Sequence, residues 1–474
     1  MEIVFNILFV VILLCASGCQ NGNKEVQKVE EDVPPNLIFI IADDLGYADV
    51  GFNGSTEIPT PNIDRIANEG VKFTNGYVSY PVCGPSRAGL ITGRYQGRFG
   101  FSRNPLFAPN DPNMGLPVAE ETIAEYLQKA DYKCAAVGKW HLGAHPSQRP
   151  LVQGFDDFFG FLTGGHRYFP EEWTFQDEYE INSQFDAYKT KLLRNNDRIE
   201  ETEYLTDALS REAANYVEQY KDDPFFIYLA YNAPHAPLQA TEKYLQRFSH
   251  IKDKKRRTYA AMVSAVDDGV GRVLDKLDAL KLEKNTIVLF ISDNGGLLKI
   301  KADNTPLRGG KGDMYEGGIR VPFAMRWPKQ ITASTVYDDP VITLDVFATM
   351  VSAQQSSVQP KNELDGVDLI PFVQGAQEGR PHDDLYWRKY DQRRYAIRKG
   401  DLKLLDDGSG MEFFDVTSDI AEKANILESN KEEAKELEKV HGEWLAQLRD
   451  PIFLGLRSDS IYNASHPDRF KRPE

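Results

Sequence analysis

Five short apolar runs, rich in β-branched and aromatic residues, recur along the chain, and each stops abruptly at polar or glycine residues. They are NLIFIIADD (36–44), KCAAVGKW (133–140), PFFIYLAYNAPH (224–235), NTIVLFISDNGG (285–296) and VPFAMRWP (321–328). Between them, apolar residues return every three or four positions. One series is Leu205, Leu209, Ala213, Tyr216, Val217 and Tyr220; another is Tyr259, Met262, Val263, Val266, Val270, Val273 and Leu277. Continuous apolar runs predict strands buried on both faces, and the second pattern predicts helices with one face on a sheet. The expected fold is therefore α/β, a large mixed, mostly parallel sheet sandwiched by helices.

Beyond about Gly375 the pattern shortens. YAIRKGDLKLL and EFFDV suit a small antiparallel sheet, and Ala434, Leu437, Val440, Trp444 and Leu448 mark one face of a following helix. The expected organisation is an α/β domain over 36–375 and a C-terminal subdomain over 376–474. No 20–50-residue repeat interrupts it.

Ahead of the first strand, MEIVFNILFVVILLCASGC (1–19) is apolar, short and terminal, which suits a secretory signal. Its end, Ala16-Ser17-Gly18-Cys19, resembles a bacterial lipobox in which Cys19 would be lipidated. The polar stretch at 20–35 then reads as a tether. The expectation is an exported protein, in the periplasm or on the outer membrane of a bacterium, touching a membrane only through that anchor. A formal net charge of -16 excludes a broad basic surface along a nucleic acid, though not a small basic pocket. Of four cysteines, Cys15 and Cys19 lie in the leader. Cys83 and Cys134 are too few for a disulfide framework, so a cysteine in the turn PVCGPSR needs another reason.

In open α/β sheets, ligands bind beyond the carboxyl ends of the strands. Asp43 and Asp44 follow the first run, Lys139 and His141 the second, His235 the third, and Asp293 and Asn294 the fourth. The acids and the amide are hard oxygen ligands of the kind Ca²⁺ or Mg²⁺ prefers, and adjacent buried carboxylates call for a neutralising cation. Arg87, Lys139 and Lys311, with His141 and His235, add positive charge and proton-transfer groups, a set suited to a tetrahedral oxyanion ester. His145, His250, His382, His441 and His466 have no such setting.

Cys83-Gly84-Pro85-Ser86-Arg87, followed by AGLITGRY, resembles the signature of the type I sulfatases in the alkaline-phosphatase-like superfamily. The resemblance continues through GKWHLG, APHAP, SDNGG, LRGGKGDMYEGGIRVPF and LDGVDLIPFVQG, almost the whole chain after the tether. It implies that a maturation enzyme oxidises Cys83 to formylglycine before folding is complete. It also implies that Asp43, Asp44, Asp293 and Asn294 bind Ca²⁺ together with residue 83. Arg87 and Lys139 would hold the hydrated aldehyde, His235 and Lys311 the leaving oxygen, and His141 would take a proton from the second hydroxyl.

The implied partner is a sulfated polysaccharide or its oligosaccharides. GFLTGGHRYFPEEW, with His166 and Arg167 between aromatics, is a candidate sugar-binding wall, and Arg388, Arg393 and Arg394 are candidates for a second anionic group. Two alternatives remain open at this stage: a phosphate or phosphonate ester hydrolase of the same superfamily, and a non-catalytic carbohydrate-binding relative.

Overall fold

The computed structural model describes residues 33–354 and 356–472. The expected leader at 1–19, and all but the last three residues of the expected tether, lie outside them. In chain order the first twelve strands are β1 Asn36–Ala42, β2 Val71–Phe73, β3 Gly76–Tyr77, β4 Lys133–Lys139, β5 Asp157–Phe161, β6 Leu193–Arg194, β7 Asp197–Arg198, β8 Phe225–Ala230, β9 Thr286–Ser292, β10 Phe323–Arg326, β11 Thr335–Tyr337 and β12 Val341–Ile342. Ten of these form one sheet in the order β11-β2-β10-β9-β1-β8-β4-β5-β6-β7. From β9 to β5 every pairing is parallel. The run VPFAMRWP becomes β10, which lies antiparallel to β9. Apolarity reports that such a strand is buried, not which way it runs.

Successive residues of β1 serve opposite faces, as the pleat requires. Ile38 and Ile40 join the core beneath the helices Leu205–Gln219 and Lys254–Leu280. Leu37, Phe39 and Ile41 join the core on the other face, beneath Cys83–Thr92, Ile123–Gln128 and Asp345–Ala353. Both predicted helical series are buried along their full length in the first core. The helix Lys254–Leu280 is started by Asp253, whose carboxylate accepts the amides of Lys255 and Arg256 at 2.9 and 3.2 Å.

The C-terminal segment forms a four-stranded antiparallel sheet, β13 Asp384–Lys389, β14 Arg394–Lys399, β15 Leu402–Asp406 and β16 Met411–Asp415, in that order. The helix Lys431–Leu445 buries Ala434, Leu437 and Trp444 against it. The sheet docks on the segment that leads into Cys83. Trp387 Nε1 donates to Val78 O at 2.7 Å, and Arg398 Nη1 donates to Asn75 Oδ1 at 2.9 Å. A buried Lys403 ammonium donates to both Glu316 Oε1 and Glu422 Oε1 at 2.8 Å, which ties β15 to the turn following Lys311.

Candidate active site

Four parallel strands end side by side, and residues at or shortly beyond their ends converge. Asp43 and Asp44 leave β1, Lys139 closes β4, His235 follows β8, and Asp293 and Asn294 leave β9. Cys83 and Arg87 come from the first turns of the helix Cys83–Thr92, all ten residues of which are buried. Its C-terminus is closed by Gly93 at φ 63°, a left-handed position that favours glycine, with its amide donating to Gly89 O.

The contacts are short. Cys83 Sγ lies 3.4 Å from Asp43 Oδ1 and 3.1 Å from Lys311 Nζ. Lys139 Nζ donates to Asp43 Oδ2 at 2.5 Å, and Lys311 Nζ pairs with Asp44 Oδ1 at 2.6 Å. Arg87 grips Asp293 Oδ2 through Nε and Nη2, both at 2.8 Å, and its Nη1 donates to Lys139 O at 3.2 Å. Asn294 Nδ2 donates to Asp44 Oδ1 at 2.8 Å. His235 Nε2 stands 3.8 Å from Asp44 Oδ2, and its Nδ1 is 2.6 Å from Ala236 O, so Nδ1 carries the proton and Nε2 faces the cluster. His141 is buried with Nδ1 unpartnered. Gly164 lies so close that a Cβ there would sit 2.7 Å from His141 Nε2, which explains a glycine at that point of the TGGH stretch.

Three carboxylates, Asp43, Asp44 and Asp293, thus meet three cations, Arg87, Lys139 and Lys311, in a site nearly closed to solvent. Burial raises Asp44, but Lys311 and then His235 outweigh it and bring the carboxyl to about 2. Burial and the Asp43 charge push Asp293 up, against Arg87. Burial takes His235 down to about 3 despite Asp44, and His141 well below its ordinary value, with Lys139 adding to the latter. Burial and Asp43 push the Cys83 thiol up to about 12, so as a free cysteine it is protonated and a poor nucleophile.

The residues fit a hard divalent cation. One ligand atom each from Asp43, Asp44, Cys83 and Asp293 falls within 4.8 Å of the others. Asp44 Oδ2 and Asn294 Oδ1 are buried oxygens with no hydrogen-bond donor, a costly condition that a cation would relieve. Asp44 holds φ 67°, a left-handed conformation costing on the order of 1 kcal/mol or more.

Every residue expected to hold metal or do chemistry is therefore in one cluster. The expected sugar contacts are not. His166 is 0% exposed, with Nδ1 2.9 Å from Arg167 O and Nε2 2.8 Å from Thr190 O, wedged between Phe161 and Trp173. The aromatic neighbours that suggested a wall bury the ring instead. Arg167 is part-exposed and paired with Glu172 at 3.2 Å. Arg388 donates to Arg449 O at 2.7 Å and lies over the Tyr390 ring, turned into the C-terminal region, and Arg394 pairs with Asp407 at 3.4 Å.

Two tyrosines escaped sequence reasoning. Tyr168 Oη lies 2.8 Å from both Asn232 O and His235 O and holds the His235 loop. Tyr188, half-buried, is raised by burial and interacts electrostatically with Lys311, Cys83, Asp43 and Asp44. Neither belongs to an apolar run or a strand end.

This sheet, with acids, amide and cations at its carboxyl edge, is the architecture of the alkaline-phosphatase-like superfamily. The solved phosphonate monoester hydrolase of Agrobacterium radiobacter shares the fold at 19% identity and TM-score 0.62 over 87% of this chain and 95% of its own. A sulfatase profile matches residues 35–355, and the N-sulphoglucosamine sulphohydrolase C-terminal profile matches 310–450. Mouse arylsulfatase J is 36% identical over 71% of this chain and 55% of its own length. Human N-acetylgalactosamine-6-sulfatase is 33% identical over 73% of this chain and 67% of its own. The crystal structure of Ps i-CgsB in complex with k-i-k-neocarrahexaose is 39% identical, with TM-score 0.85 over 93% of this chain and 100% of that one. The chain belongs to the sulfatase family, whose members hydrolyse sulfuric esters.

Proposed function

We propose that this protein removes sulfate from a carbohydrate, a sulfated polysaccharide or its oligosaccharides, using Cys83 matured to formylglycine and a bound Ca²⁺, with Mg²⁺ as the alternative hard cation. The observation that carries the reading is the enclosure of Cys83 among Asp43, Asp44, Asp293, Arg87, Lys139 and Lys311. The carbohydrate class is supported by the carrageenan-type ligand named for Ps i-CgsB and by the hexosamine sulfatase among the relatives.

Asp43, Asp44, Asp293 and Asn294 would hold the cation, which when bound supplies positive charge for the nonbridging sulfate oxygens. Residue 83, once oxidised by a maturation enzyme, would supply a hydrated aldehyde, a nucleophilic hydroxyl beside a second hydroxyl able to give up its proton. The remaining work falls to unmodified side chains. Arg87 and Lys139 fix residue 83 from the side of the helix and of β4. Lys311 and His235, at 14% and 16% side-chain exposure, are open to an incoming ester; Lys311 can donate to the leaving oxygen directly, and His235 can do so once Nε2 has taken up a proton. His141, enclosed and with a free Nδ1, suits holding a proton from the second hydroxyl. Export, with lipidation at Cys19, completes the reading and would place the enzyme where polymers are met.

The test is the rate of sulfate release from aryl sulfate and from defined sulfated oligosaccharides, beside phosphate release from aryl phosphate. Mass spectrometry of the peptide containing residue 83 accompanies it. A faster phosphatase, or an unoxidised thiol in active protein from its native cell, overturns the proposal.

A further inference from the structure

A cleft of about 230 Å³ opens beside the cluster. One wall is Tyr80 and Val82, the residue before Cys83, with Asn104, whose Oδ1 accepts the Gly84 amide at 2.8 Å. The other wall is C-terminal: Lys389, the last residue of β13, and Arg457. Lys389 Nζ donates to Gly312 O at 2.5 Å, one residue beyond Lys311, so the cleft and the cluster share a loop.

The charges in this cleft are unbalanced. Arg103 and Asp391 also line it but answer each other, with Arg103 Nε 3.0 Å from both carboxylate oxygens. Lys389 has no carboxylate within ion-pair distance, and Arg457 is exposed with neither an ion pair nor a side-chain hydrogen bond among the described residues. Burial, then repulsion from Arg394 and Arg457, outweighs the attraction of the more distant Asp407 and Asp313 and brings the Lys389 ammonium down to about 8. Placing like charges together in a partly dry cleft costs stability, which the single bond from Lys389 to a backbone carbonyl does not require of Arg457. In a chain of net charge -16, a cleft that touches the residue before Cys83 and holds two cations with no carboxylate in ion-pair contact calls for an anionic ligand.

We infer that Lys389 and Arg457 form a subsite for a second sulfate ester, carried on a sugar neighbouring the one that is cleaved. The inference rests on the sulfatase reading above and narrows the substrate class to multiply sulfated oligosaccharides. The arginine expected for this task from sequence, Arg388, points elsewhere, whereas Arg457 comes from a segment with no strand or long helix to announce it.

The experiment uses a matched pair of oligosaccharides with the same scissile sulfate, one bearing a second sulfate on the adjacent sugar. A third member carries a carboxylate in that place. Matured wild-type protein should favour the doubly sulfated member in kcat/KM by about tenfold, carried in KM and shrinking as salt rises. Arg457→Glu and Lys389→Met should each lose most of that preference. Equal kinetics on the pair, or a preference that survives both variants, overturns the subsite. An equal preference for the carboxylate member overturns its assignment to sulfate. Failure of the sulfatase reading has its own signature, no sulfate released from any ester. Calorimetry on Cys83→Ala protein, which cannot turn over, then still decides the subsite by whether the doubly sulfated member binds about tenfold tighter.

Discussion

The two sides of the candidate site follow opposite electrostatic rules. At the sheet ends, Asp43, Arg87, Lys139 and Asp293 are at most 1% exposed, and each charge is answered by an opposite one within 4 Å. Across the cleft, Lys389 and Arg457 are more open and unanswered. Burial forces compensation, because an unpaired charge out of water costs several kcal/mol. The sheet side is accordingly a locked, self-neutral cluster suited to chemistry, while the C-terminal side keeps charge free for recognition. The Lys403 contacts with Glu316 and Glu422 join the two.

The comparison breaks most sharply at Cys83. Cys83→Ala should lower sulfate release by on the order of a thousandfold or more while leaving the denaturation midpoint nearly unchanged, since the side chain serves chemistry and contributes little packing. Near wild-type turnover would remove the sheet side from the reaction. Lys403→Met leaves the buried Glu422 carboxylate without its cation and Glu316 with Arg320 alone, at 3.4 Å, and should cost about 3–5 kcal/mol in urea denaturation. Adding Glu422→Gln should restore part of it. A loss below about 1 kcal/mol would mean the two sides are joined by packing alone. Chelation should lower both turnover and melting temperature, with Ca²⁺ restoring both, because an ion that binds only the folded state stabilises it. Protein insensitive to chelation by both measures would leave the orphaned oxygens of Asp44 and Asn294 unexplained.

The smallest effect is a control within the fold. His382 Nε2 lies 2.6 Å from the buried Asp345 carboxylate, and although burial opposes its charge, Asp345 raises it above its ordinary value. A histidine raised in the folded state contributes stability that is complete below about pH 6.5 and lost as pH climbs through its folded value. His382→Gln should therefore cost about 1–2 kcal/mol in mild acid and less in alkali, with turnover on aryl sulfate following only the folded fraction. A cost independent of pH would show that the charge contributes nothing.

Much of the sheet side is legible in the sequence because parallel strands buried on both faces must be continuously apolar, which makes the polar residues at and just after the end of each run conspicuous. Asp43, Lys139, His235 and Asp293 are found that way. Lys311 lies in a loop, where no strand end marks it, and the family resemblance gives it its role. The C-terminal side is illegible for a physical reason: Lys389 and Arg457 acquire their meaning from the docking of Trp387 on Val78 and of Lys403 on Glu316, contacts between segments about 90 to 310 residues apart. The sequence around His166 suggests a sugar platform where the structure has core, because aromatic neighbours are equally characteristic of both.

The central position of β1 has a consequence for how the chain reaches its folded form. Leu37 pairs with Phe226 on one side and Ile287 on the other, roughly 190 and 250 residues later in synthesis. Until nearly half the polypeptide has emerged, the seven residues of β1 and the acid pair behind them have no strand neighbour to receive them. A nascent molecule thus carries an unpaired apolar strand through about half of its manufacture and is exposed to aggregation over that interval.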